Sequence, residues 1–139
     1  MTIAKLTAAQ KKRVSKALSH VPYAQLLGIK LEQIESGTAT LRMRVRNQLT
    51  QNHGVVHGGA VASLIDSATA FAIISLLSPE EKVTTVDLTI SYVRPVTKGP
   101  VQCTAKVVRA GRRLFVVSAD VFDERQKLVA TALSTYIKI

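Results

Sequence analysis

The chain has no tryptophan, a single cysteine and only 4% aromatic residues, and each scarcity excludes something. With Cys103 alone, no internal disulfide can form. The amino end, MTIAKLTAAQKKRVSKALSH, lacks the apolar run and cleavage site of a secretory signal. Both features predict a reducing, cytoplasmic setting. Acids are scarce too, nine against nineteen Lys and Arg, for a net charge of +10. Such an excess favours anionic partners of some kind. With few aromatic rings there is little for single-stranded bases to stack on, so nucleic acid is not the expected partner. Nor are the cations gathered: Lys11, Lys12, Arg13 and Lys16 lie on a predicted helix, Arg42, Arg44 and Arg46 alternate along a predicted strand, and Arg109, Arg112 and Arg113 flank a turn. No G-x-S-x-G elbow occurs, which argues against a serine hydrolase.

The chain is 139 residues long and 47% hydrophobic, which predicts one domain over residues 1–139, with 1–22 as a helical extension. Thr7-Ala8-Ala9-Gln10 has the form of a capping box, so a helix should run from there to about His20, where Pro22 breaks it. Residues 23–28 read as a short helical turn closed by Gly28. Strands follow at 29–35 and 38–46; in the second, Thr38, Thr40, Arg42, Arg44 and Arg46 share one face, and Ala39, Leu41, Met43 and Val45 the other. Residues 47–57 are polar and irregular. Gly58 and Gly59 then open an apolar helix, ending near Leu77, with no polar stripe and so buried nearly all round. Barely long enough to span a bilayer, it carries Asp66 near its middle and lacks flanking Lys or Arg, so membrane insertion is not expected. Strands are predicted at 83–93, 101–109, 113–122 and 128–138. The class is therefore α+β: a long helix wrapped by a curved antiparallel sheet, with an added amino-terminal helix.

The informative segment is Gln51-Asn52-His53-Gly54-Val55-Val56-His57-Gly58-Gly59, with Asp66 nine residues after His57. Two glycines at a helix start let backbone N–H groups approach a ligand where the helix dipole favours negative charge. That is oxyanion-hole chemistry, suited to the charge that develops on a thioester carbonyl. Asp66 supplies a carboxylate, as general base towards water or as nucleophile. Gly59 and Asp66 share a helical face but sit roughly 10 Å apart along the axis. One carbonyl cannot be within about 3 Å of both. Two antiparallel copies of the helix would bring Gly59 of one chain near Asp66 of another, so a homodimer is the expected active unit. His53, His57 and Asp66 could suggest a metal, but no second carboxylate is near, and no metal is expected.

The run NHGVVHGGAVASLID, with TTVDLTISYVRPVTKG, VVRAGRR and VFDERQKLVATA after it, resembles PaaI-type thioesterases of the hotdog superfamily over about residues 24–138. The resemblance implies a hotdog fold and hydrolysis of an acyl- or aryl-acyl-coenzyme A, with no cofactor besides that substrate. It implies a homodimer, and a tetramer as a dimer of dimers. By position, the family's carboxylate falls on Asp66 and its oxyanion N–H on Gly58 or Gly59. His57 would help bind the thioester carbonyl or brace the loop, and Thr85 matches a hydroxyl that holds the water in some relatives. Gln51 stands where the family often has Asn; hydroxybenzoyl-CoA-type relatives have Gln there but usually pair it with Glu, so the acyl group stays open. Coenzyme A carries phosphates, for which Arg94, Lys98, Arg112 and Arg113 are candidates, with Asn52 as a further substrate contact. The alternative is a non-catalytic hotdog module that binds acyl-coenzyme A; Asp66 together with the His-Gly-Gly run argues against it.

Overall fold

The computed structural model describes residues 5–139, so the first four residues of the expected extension lie outside it. Thr7 caps α1 (Ala8–Ser19) in a reciprocal box: its hydroxyl accepts from the Gln10 N–H, and the Gln10 side chain accepts from the Thr7 N–H. Pro22 does more than stop this helix. It is the first residue of α2 (Pro22–Leu27), where a missing N–H has no intrahelical partner to lose, and Gly28 closes that turn at φ 73°.

Six strands form one antiparallel sheet: β1 (Lys30–Glu35), β2 (Thr38–Arg44), β3 (Val83–Tyr92), β4 (Pro100–Ala110), β5 (Leu114–Phe122) and β6 (Leu128–Lys138). Their order is β1-β2-β4-β5-β6-β3. The chain thus leaves β2, crosses the sheet as α3 (Gly58–Ile74) and enters β3 at the far edge. α3 packs on β2, β4, β5, β6 and β3, which makes it the centre of the hotdog fold. Leu64, Ile65, Ala68, Ala72 and Ile73 are wholly buried against the sheet residues Leu41, Met43, Val101, Val117 and Val121. Each Leu, Ile, Val or Met among them contributes about 1.5–3 kcal/mol. In β2 the alternation holds, except that Thr40 is also buried, its hydroxyl bonded to that of Thr104 at 3.0 Å.

Three expectations change. β2 ends at Arg44, so Arg46 lies beyond the ladder. α3 ends at Ile74 and not near Leu77, because Ser75 turns back: its hydroxyl donates to the Ala72 carbonyl and accepts the Gly37 N–H at 2.7 Å. Finally, α3 is not buried all round. Ala62, Ser63, Asp66, Ser67, Ala70 and Ile74 form a half-open stripe at helical spacing. Beside that stripe β3 has β6 on one side only and bares Val86 and Tyr92, each over half exposed. Among the described residues no helix is long and apolar enough to cross a membrane.

Candidate active site

The polar loop before α3 is more ordered than its composition suggests. Residues 47–49 make one 3-10 turn, and a tight turn follows in which the Gln51 N–H donates to the Val55 carbonyl. Gly54 supplies the left-handed residue at φ 76° that this turn needs. Val56 N–H then donates to Val96, and His57 N–H to Leu49 at 2.7 Å, which fixes where the helix begins.

At that start the two glycines differ. The Gly59 N–H donates to His57 Nδ1 at 2.8 Å, so His57 is the helix cap and its Nε2 is left to carry the proton. A methyl at Gly59 would meet Nδ1 at 3.0 Å. Gly58 is the reverse case: its N–H reaches no acceptor among the described residues, and an added methyl would find only ordinary contact with the Tyr92 ring at 3.4 Å. Glycine at 59 thus leaves room for the His57 cap, while at 58 the chain leaves an approachable donor. Tyr92 closes over this end, its hydroxyl donating to the Gly58 carbonyl at 2.9 Å. Gln51, Gly58, Tyr92 and Arg94 line a cavity of about 380 Å³.

Asp66, two turns along the half-open stripe, lies in a second depression of about 370 Å³ with Tyr23, Ser63, Ser67, Thr85 and Leu88. Its Oδ1 accepts two hydroxyls, from Thr85 at 2.9 Å and from Tyr136 at 3.0 Å. Thr85, which the resemblance matches to a water-holding hydroxyl of some relatives, thus donates to the carboxylate itself. The single O–H of Tyr136 is divided between Oδ1 and the Asp66 carbonyl at 2.8 Å, and the phenol oxygen lies 2.8 Å from the Thr69 hydroxyl. Only 2% of Tyr136 is exposed, and burial pushes its phenol well up, so it remains a donor. No donor among the described residues reaches Oδ2. The result is a carboxylate anchored through one oxygen with the other open to the depression. The sequence reading missed Tyr136, although an inward-facing tyrosine on a strand needs a polar partner, and Asp66 was an available one.

The remaining candidates separate. Asn52 and His53 are exposed, and Asn52 lines neither depression. Arg94 belongs to the Gly58 end. Lys98 shares a small cleft with Asp123 and Glu124, acids that would compete with a phosphate. Arg112 and Arg113 lie in the β4–β5 turn at the other end of the sheet, beside Lys138, whose N–H donates to the Arg113 carbonyl. The four cations do not form one patch.

A family model described as "Thioesterase superfamily" matches residues 53–130, the stretch from the glycine loop into the start of β6. The Saccharolobus solfataricus protein SSO1253 is 32% identical over 89% of this chain and 82% of its own length. The medium/long-chain acyl-CoA thioesterase YigI of Escherichia coli is 28% identical over 85% of this chain and 86% of its own. Among solved structures, PA5202 of Pseudomonas aeruginosa superposes with a TM-score of 0.85 at 33% identity, over 90% of this chain and 99% of that one. PaaI of E. coli, from the phenylacetic acid degradation operon, does so with 0.87 at 27% identity, over 95% of each.

Proposed function

The chain belongs to the thioesterase superfamily and is a thioester hydrolase, and from that premise we propose that it hydrolyses acyl-coenzyme A at a site shared between two copies of the chain. The observation that carries this reading is the pairing of two incomplete half-sites. One offers a free backbone N–H at Gly58 with no carboxylate beside it; the other offers Asp66 with no backbone donor. Along α3 they are eight residues, or roughly 12 Å, apart. A reacting carbonyl must lie within about 3 Å of both kinds of group.

Antiparallel crossing of two α3 helices through their half-open stripes joins Gly58 of one protomer to Asp66 of the other. The exposed edge of β3 supports the same assembly, since a ten-residue edge with bare Val86 is a surface for strand pairing. In the joined site, Asp66 Oδ2 takes a proton from water as the water oxygen attacks the thioester carbon. The Gly58 N–H and helix dipole stabilise the oxyanion. The carbon–sulfur bond then breaks, the coenzyme A thiolate recovers the proton, and the free acid leaves. His57, through Nε2, and Gln51 border the carbonyl, and Arg94 is the cation nearest that end for the phosphates.

The test is release of free thiol from an acyl-coenzyme A panel by the wild type and by Asp66→Asn. Turnover lost in the variant with the dimer intact supports the reading. Binding of acyl-coenzyme A with no release by the wild type would leave a carrier module.

A further inference from the structure

Beyond Asp66 the stripe of α3 changes character. Ser63, Asp66 and Ser67 are polar; Ala70 and Ile74, one and two turns on from Asp66, are apolar. β3 changes in parallel: Thr85 bonds the carboxylate, and Val83, two residues earlier and on the same strand face, is apolar. Ala70, Ile74 and Val83, the apolar residues next to the site on both elements, line a cleft of about 500 Å³. Val14 and Ala17 of α1 close it opposite Ala70, Ile74, Leu77 and Val83. The charged residues that border it, Arg13, Glu81 and Lys82, are exposed, and Glu81 is already paired with Lys138 at 2.6 Å.

Resting on the hydrolase reading above, we propose that this cleft is the acyl subsite and takes a straight aliphatic tail, with Ala70 as its threshold. Three features select that ligand. The cleft starts one turn past the carboxylate, so a tail can enter while its carbonyl stays at Asp66. No aromatic side chain lines it, so an aryl group finds no ring to stack on, and no buried polar group waits to recognise a hydroxyl or oxo substituent. From Asp66 to the end of α3 at Ile74 is eight residues, roughly 12 Å, a span that an extended chain of about octanoyl to decanoyl length fills. Ala70 lines the cleft one helical turn from Asp66, so a longer side chain there would stand between carboxylate and cleft.

The experiment has two arms. In the first, kcat/KM is measured on butyryl-, hexanoyl-, octanoyl-, decanoyl- and benzoyl-coenzyme A for the wild type, Ala70→Leu and, on the α1 wall of the cleft, Ala17→Leu. The wild type should gain about fourfold per added methylene until the cleft is full. Ala70→Leu should lower the decanoyl-to-butyryl ratio by roughly tenfold or more, and Ala17→Leu should shorten the preferred chain. A flat profile, a benzoyl preference, or a ratio unmoved in both variants overturns the subsite. In the second arm, decanoyl-coenzyme A with a terminal diazirine is photolysed on the wild-type protein. Label at Val14, Ala17 or Ile74 supports the subsite; label elsewhere, or a cleft shielded by a second copy of the chain, overturns it. Absence of hydrolysis on every thioester counts against the hydrolase reading alone, because the photolabel still decides the cleft.

Discussion

The two ends of the α3 stripe hold their functional groups by different means. At the amino end the backbone does the holding: the His57 N–H is tied to Leu49, the Val56 N–H to Val96, and the helix start follows from these bonds. Eight residues on, side chains from two distant strands hold Asp66, with Thr85 nineteen and Tyr136 seventy residues away in sequence. A donor that stabilises charge must be fixed before the charge arrives, and backbone bonds fix it at little entropic cost. Under the proposed reading Asp66 is a base, which needs one oxygen anchored and one free, and the two hydroxyls on Oδ1 leave it so.

That difference sets the order of expected effects. Asp66→Asn keeps the shape and removes the base, and thiol release should fall by about 10²–10⁴-fold while the melting temperature stays near that of the wild type. Gly58→Pro removes the donor alone. Proline is favoured at the first helical position, and His57 already has the extended conformation, ψ 133°, that a following proline requires. A loss of about 10²–10³-fold in kcat with unchanged helicity is expected; no loss would assign the oxyanion donor elsewhere.

Mixing those two inactive variants after co-refolding tests whether the halves belong to different chains. Each mixed dimer contains one intact combination, so about a quarter of the wild-type activity should return. Activity that stays absent, with mixed dimers demonstrated by mass spectrometry, would place both halves in one chain. Smaller effects sharpen the comparison from each side. Tyr136→Phe removes one of two donors to a carboxylate, and turnover should drop roughly tenfold to a hundredfold, with KM little changed. Gly59→Ala crowds His57 off its cap; a stability loss of about 1 kcal/mol, read by thermal unfolding, is expected with only modest loss of rate.

The same contrast explains what the sequence disclosed. The backbone-held half was legible because glycine, histidine and helix start are neighbours in the chain. The element order and the inward face of β2 were legible for a similar reason, since alternation is local. What escaped depended on distant partners. The apolar run continues to Leu77, and only the contact of Ser75 with Gly37 shows why the helix stops earlier. Tyr136 was hidden because its partners, Asp66 and Thr69, belong to another element. The open stripe on α3 was written in small residues at positions 62, 63, 66, 67 and 70, but composition alone presented it as a buried face. The phosphate candidates failed to converge because Arg94 and Arg113 lie at opposite ends of the sheet, a topological fact that no local pattern encodes.

The open edge of β3 has a further consequence under the two-chain reading. A catalyst completed only by association obeys mass action in itself: its specific activity falls on dilution, and substrate that bridges two protomers lowers the concentration at which the loss begins. Titrating the protein downwards at saturating substrate would then read the association constant of the substrate-bound dimer from turnover. The amount of chain present would set both how much catalyst there is and how well each copy works.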